Sequence, residues 1–231
     1  MGGREGHIGV RTNVRTKVET MVPTETSADS AVRVANRTAG YDRKLEHVLA
    51  AGACVMAREG YGLSTIRKVA REAGMSLSGL YHYFASKEEL LFLIQHHTFD
   101  SILRRLAERL EGVRDPRERL RVMVTNHLEH FVARMDELKV CASDMETLTG
   151  DYYEQVRALR QRYLKITLEI VQSLCERAPG SRVDPWPATL YLFGMLNWIY
   201  MWYPAVEGAT ADELGDQILT LFLEGYLPRK E

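Results

Sequence analysis

From residue 42 onward, apolar positions recur at intervals of three and four with almost no break, the period of helices that bury one face. Over residues 43–58, Leu45, Val48, Leu49, Gly52, Val55 and Met56 share a stripe, which Glu59-Gly60-Tyr61-Gly62 ends. A second helix starts near Ser64, carries Ile66, Val69 and Ala70 on one side, and stops at Gly74. A third, short one starts near Ser76, with Leu80 and Phe84 one turn apart and facing inward. The pattern then predicts a helix over 87–110, which is about 36 Å long. Further helices follow over 117–135, 151–175, 184–203 and 210–226, with an interrupted stretch at 137–148. No run of alternating β-branched residues and no Asn-Gly or Asp-Gly hairpin signal interrupts them. The expected fold class is all-α, with about nine helices.

Helix starts support the periodicity. Ser86-Lys-Glu-Glu89 has the spacing of a capping box, in which the hydroxyl accepts a free backbone N–H and the glutamate reaches back. Asp151-Tyr-Tyr-Glu154 and Thr210-Ala-Asp-Glu213 repeat that spacing, and Asp115-Pro116 and Asp184-Pro185 place a capping carboxylate before a proline suited to the first turn. Residues 1–40, rich in Thr, Ser, Gly, Val and charge without a sustained period, are expected to form a disordered arm. The arm lacks the apolar run of a secretory signal, so a cytoplasmic protein is expected. Residues 188–206 are uncharged over nearly the length of a membrane span, but Asn197 and Pro204 interrupt them, and a buried helix at a protein–protein interface is expected instead.

The first three helices have the layout of a DNA reader. Gly74 suits the left-handed conformation that reverses the chain, and Ala70 and Ala73 let two helices approach closely. Together these make a helix-turn-helix whose second member enters the major groove. The run from Thr65 to Ser76, followed by Leu80-Tyr81-His82-Tyr83-Phe84 and Ser86-Lys87-Glu88-Glu89-Leu90, resembles the DNA-binding domain of TetR-type transcriptional regulators over about fifty residues. By position, the resemblance implies DNA contacts from Thr65, Ser76, Leu77, Ser78, Gly79, Tyr81, His82, Tyr83 and Lys87. Thr65, Tyr81, Tyr83 and Lys87 suit phosphates, while Ser78 and His82 suit base edges. Leu77 and Gly79 depart from the usual pattern, which has a basic residue and a threonine there. The implied organisation is an arm over 1–40, a helix-turn-helix domain over 41–90, and a ligand-binding and dimerisation domain over 91–231. In the family the last two helices pair across a two-fold axis. Gly194, Trp198, Trp202, Leu214, Ile218, Leu221 and Phe222 fit that role here, making the protein a homodimer on double-stranded operator DNA.

The stretch from Tyr191 to Tyr203 is similar to a branch of the family that regulates fatty-acid or steroid breakdown, whose members often sense acyl-CoA thioesters. Such an effector needs an apolar tunnel and cations for its phosphates. Candidate ligand residues are Phe92, His96, Phe99, Leu103, Phe131, Tyr152, Arg157, Arg160, Tyr163 and Asn197, with Arg162 and Lys165 as further phosphate partners. Another hydrophobic molecule or drug is the alternative effector. A metal is less favoured: His127, Glu129, His130 and Cys141, or His96, His97 and Asp100, lack a full ligand set in sequence. No cofactor is expected besides the effector.

Composition alters this picture little. The chain is 45% hydrophobic and 26% charged with a net charge of −1, which excludes a general basic coat for nucleic acid. Residues 1–40 hold six Lys and Arg against four Asp and Glu, residues 41–90 seven against six, and residues 91–231 seventeen against twenty-one. A polyanion is therefore best met by the N-terminal part. A few placed contacts, doubled by symmetry, suffice for a short operator. Cys54, Cys141 and Cys175 are far apart and suit reduced thiols. No G-x-S-x-G, H-E-x-x-H or phosphate-cradling glycine loop occurs, so an enzyme is not expected.

Overall fold

A computed structural model describes residues 39–143, 147–177, 183–203 and 210–226, and ten helices with no strand make up the regular structure among them. The arm expected over 1–40 lies outside the described residues, except for the two that open α1 (Ala39–Glu59).

Local signals set most boundaries. α2 (Ile66–Glu72) is capped by Thr65, whose hydroxyl accepts from the Lys68 N–H. It closes through Gly74 at φ +62°, with the N–H groups of Gly74 and Met75 donating to the carbonyls of Arg71 and Ala70. α3 is a single turn, Leu77–Leu80, capped by Ser76. α4 (Lys87–Leu110) starts at the Ser86 cap, and Glu89 reaches back one residue further than expected, to the Ala85 N–H. Asp115 accepts from the N–H groups of Arg117 and Glu118 and opens α5 (Pro116–Val132). Thr210 and Glu213 form the reciprocal box that opens α10 (Ala211–Tyr226).

Three expectations need correction. The interrupted stretch contains a helix, α6 (Met135–Ser143), which packs along α1 and α4. α6 buries Leu138, Val140 and Cys141 in only nine residues, too short a stripe to stand out as a period. Second, Asp151 does not cap. α7 (Gly150–Arg177) begins one residue earlier from a glycine at φ +51°, and Glu154 pairs with Arg157 instead. Third, the apolar helix ends at Asn197 and restarts after Trp198, giving α8 (Pro185–Asn197) and α9 (Ile199–Trp202), and Asp184 makes no side-chain cap. None of the described helices is long and apolar enough to cross a membrane.

The core is built where α4, α5 and α7 meet, with α8 and α10 closing it. Ile102, Leu106, Leu120, Met123 and Val124 are wholly buried there. Arg105 and Arg109 of α4 both pair with Glu129 of α5, and Arg121 of α5 with Asp216 of α10. α1 lies against α4 at Gly52, where a Cβ would come within 3.1 Å of Leu90 and Ile94 side-chain carbons.

Candidate functional site

The N-terminal face presents a row of accessible side chains around α3. Leu80 is fully buried and Phe84 nearly so, and these two anchor the turn, which packs against α2. Thr65, Ser76, Leu77, Ser78, Tyr81 and His82 are exposed, with Tyr81 and Leu77 at 54% and 38%. The Ser76 hydroxyl sits 3.1 Å from both the Gly79 nitrogen and the Ser78 hydroxyl. A Cβ on Gly79 would lie 3.2 Å from that capping oxygen, which is a local reason for glycine there. Tyr83 is half-buried, its ring 5.0 Å from that of Tyr41. Lys87 is engaged inside the protein. Its ammonium donates to the carbonyls of Tyr61 and Ser64 at 2.8 and 3.1 Å and lies over the Tyr61 ring, tying α4 to the loop that leads to the Thr65 cap.

The second candidate is a cavity of about 380 Å³ between α4, α5, α6, α7 and α8. Six of the ten sequence-derived ligand residues line it: Phe99, Phe131, Arg157, Arg160, Tyr163 and Asn197. Four do not. Leu103 belongs to the packed core. Phe92, His96 and Tyr152 form a stack of their own, with Phe92 and Tyr152 at 4.4 Å between ring centres. Of the further phosphate partners, Arg162 is exposed and Lys165 pairs with Glu169 on an exposed face. His127 and Cys141, singled out in the sequence only as metal candidates, also line it, and the residues missed include Leu138, Leu164 and Phe193. Nothing in the spacing of these three marks them, because they come from three different helices.

Polarity changes with depth. The more exposed lining residues are Ala142, Arg157, Gln161 and Leu190, whereas His127, Phe131 and Tyr163 are buried. Arg160 lies between: its guanidinium donates to the Cys141 carbonyl at 2.7 Å and stands 5.3 Å from the centre of the Phe99 ring. Burial pulls its pKa down, but a guanidinium remains charged. At the floor, His127 Nδ1 is 3.3 Å from the Tyr163 hydroxyl. Burial, then the nearby His130, hold His127 down to about 3, against a smaller upward pull from the Leu196 backbone. Burial also raises the Tyr163 phenol, so both groups are neutral in the physiological range. No group of three or more His, Cys, Asp or Glu suited to a metal occurs among the described residues.

α7 connects the cavity to the start of α4. Arg157, Arg160 and Tyr163 line the cavity, and the same helix begins against α4. Thr149 donates through its N–H and its hydroxyl to Glu88 at 2.9 and 2.7 Å, one residue from Lys87, and Tyr152 stacks on Phe92. The residues expected to hold ligand at Phe92 and Tyr152 therefore stack on each other at the contact of α4 with the start of α7, outside the cavity.

α8 to α10 also leave apolar surface uncovered. Trp198, Leu221 and Tyr191 are 57%, 70% and 64% exposed, and Gly194 has no atom within 4 Å of where a Cβ would stand. Leu214, Ile218 and Phe222, expected to face a partner, are instead buried in the protomer's own core, with Trp202 packed half-buried against it.

Comparison with known proteins agrees with this geometry. Residues 48–94 match the family described as bacterial regulatory proteins, tetR family, and residues 113–226 match the tetracyclin repressor-like C-terminal domain. The crystal structure of a TetR-family transcriptional regulator from Bordetella parapertussis 12822 is 30% identical, covering 79% of this chain and 95% of that one, with a TM-score of 0.72. The HTH-type transcriptional regulator HbdR of Aromatoleum sp. (strain CIB) is 23% identical over 89% of this chain and 90% of its own. AibR, in a crystal structure with isovaleryl coenzyme A and operator DNA, shares the fold at a TM-score of 0.67 and 24% identity, over 77% of this chain and 97% of that one. With both halves matched and the helix-turn-helix in place, the chain belongs to the TetR family of bacterial transcriptional regulators.

Proposed function

We propose that this protein is a homodimeric repressor that reads a palindromic operator through α3 and is released when an acyl-CoA thioester enters the cavity. One observation carries the reading: a cavity with a buried aromatic floor and arginines nearer its mouth is lined by α7, the helix whose start bears on α4. Its volume suits an acyl end with part of its pantetheine arm. The nucleotide phosphates would lie outside, within reach of Arg157, Arg162 and Lys165. The AibR complex, which holds isovaleryl coenzyme A and operator DNA on the same fold, supports the reading. An effector acts only through its difference in affinity between DNA-bound and released states. Here it would shift α7, and with it Thr149 on Glu88 and Tyr152 on Phe92. Lys87 would carry that shift to the loop before Thr65.

The exposed apolar face of Tyr191, Trp198 and Leu221 around Gly194 is the proposed two-fold interface, setting two reading helices about one DNA turn apart. At the reader, Thr65, Tyr81, Tyr83 and the remaining donor of Lys87 are assigned to phosphates, and Ser78 and His82 to base edges. Leu77 suits a thymine methyl. His82→Ala is expected to change which operator variants bind best by about tenfold, with affinity for random DNA nearly unchanged. A competition against a randomised half-site checks this, and an unaltered preference refutes the base-reading role of His82.

The deciding experiment is fluorescence anisotropy on DNA from upstream of the protein's own gene, with acyl-CoAs of graded length and free CoA at fixed salt. Release by a subset of thioesters, with free CoA inert, is expected. Tight DNA binding that no thioester disturbs would discard this effector. The aromatic floor favours one other reading, an uncharged hydrophobic drug or lipid, which the same assay tests with CoA-free compounds.

A further inference from the structure

The cavity is short in every direction that its walls define. α4 contributes a single lining residue, Phe99. Before it, Phe92 and His96 are taken up in the stack with Tyr152, and one turn after it Leu103 belongs to the packed core. The tunnel expected along α4 is therefore stopped on both sides. On α7 the lining runs from Arg157 to Leu164 and on α8 from Leu190 to Asn197, two turns or about 10 Å each. α5 and α6 each supply little more than one turn. Phe131 and Tyr163 close the deep end, and both are buried members of the packed core.

The volume of about 380 Å³ sets the same limit. At about 30 Å³ for each water-sized group, it holds about a dozen of them. The sulfur of a thioester and the first atoms of its pantetheine arm take about four, which leaves about eight for the acyl group. A hexadecanoyl chain carries about twice that number. Extended, it is close to 20 Å long, about twice the longest wall. To enter, it would have to fold back on itself and give up its rotational freedom, whereas a ring or a branched chain is already compact. The lining also suits a ring. Phe99 and Phe193 are half-buried there, and the Phe193 ring centre lies 5.6 Å from that of Tyr163.

We infer that the effector carries a compact acyl group of about eight non-hydrogen atoms or fewer, a single ring or a short branched chain, and that the protein discriminates against long straight chains. The inference rests on the reading of this cavity as the effector site and deepens it by naming the acyl class. Phe131 and Phe193 are the side chains that set the size limit.

The test uses the full chain with cyclohexanecarbonyl-, octanoyl-, dodecanoyl- and hexadecanoyl-CoA, each below its micelle concentration. Half-release from operator DNA is expected at a concentration at least about tenfold lower for the cyclohexanecarbonyl than for the hexadecanoyl thioester. Phe193→Ala opens the space beside Tyr163 and is expected to move the preference toward dodecanoyl-CoA by about tenfold. Phe131→Leu trims the deep end by less and reads the same shift if the first variant fails to fold. Hexadecanoyl-CoA acting at the same concentration as the ring or a lower one, or a ranking that neither variant moves, overturns the inference. Calorimetry with the thioesters, and with cyclohexanecarboxylate and hexadecanoate, separates the two readings. If the compact compounds bind preferentially but no thioester releases DNA, the acyl-CoA reading falls and the size limit stands. If thioesters of every length release DNA alike, the acyl-CoA reading stands and the size limit falls. Binding of no thioester and of neither acid overturns both.

Discussion

Acidification from pH 6.5 to 5.5 is expected to remove about 2 kcal/mol from the stability of the fold, because two imidazoles are buried in the neutral form. His127 is held down to about 3, by burial and then by His130; His130 is held down to about 4, by burial and then by Arg134 and Arg105. Unfolded histidines take up protons near pH 6.5, whereas these two do not until the pH reaches about 4 and 3. Their contribution is therefore complete above pH 6.5 and is lost as pH falls from there toward 4. Each group contributes a slope of about 1.4 kcal/mol per pH unit within that window. His96 and His97, also lowered chiefly by burial, act in the same direction. Glu137 opposes them. Burial raises its carboxyl, though the Thr98 hydroxyl 3.0 Å away pulls the other way, so as pH rises the folded state keeps this proton after the unfolded chain has lost it. Its contribution falls as pH rises through that window, which blunts the acid loss. Urea unfolding over a pH series measures the sum. His127→Leu with His130→Leu should flatten the curve below pH 6.5, and Glu137→Gln should steepen it. An acid loss unchanged in the double variant would place its origin elsewhere.

The second large effect is expected at Gly52. α1 and α4 approach so closely there that an added Cβ meets Leu90 Cδ2 and Ile94 Cδ1 at 3.1 Å, closer than a relaxed carbon contact. Both neighbours are wholly or almost wholly buried, so neither has open space to move into. Gly52→Ala gains helix propensity of about 1 kcal/mol and loses a similar amount to crowding, and is expected to be near neutral. Gly52→Leu must separate the helices and is expected to cost about 3 kcal/mol, a fall of several degrees in Tm for a chain of this size. A Leu variant as stable as the wild type would show that the two helices slide freely past each other. Because α4 also receives Thr149 and Tyr152, the Ala variant is the more informative one on DNA: its affinity for the operator should change although its stability does not.

The elements were largely legible in the sequence, and the exceptions have physical causes. α4 runs from Lys87 to Leu110 as its capping box and apolar period require, and Gly74 takes the left-handed turn its position demands. Such signals are local, since a cap or a turn involves atoms only a few residues apart. α6 escaped because nine residues carry too few turns to establish a period. Asp151 lost its capping role to a helix start one residue earlier, and Glu154 found Arg157 instead, a partner one turn along the same helix.

The sites divide the same way. Ser76, Leu77, Ser78, Tyr81 and His82 are exposed around one turn of helix because neighbouring positions on a short, two-anchor helix have no other direction to point, and Thr65 is exposed at the start of α2. The sequence by itself determined the all-α class, the helix-turn-helix and the family it resembles, since each rests on spacing within about fifty residues. Only the tertiary structure decided that Phe92 and Tyr152 stack outside the cavity while His127 and Phe193 line it, and that Leu214, Ile218 and Phe222 face inward while Leu221 does not. A helix pattern shows that a face is buried but not against what. A cavity is the space that five packed helices leave between them, and no single stretch of chain encodes it.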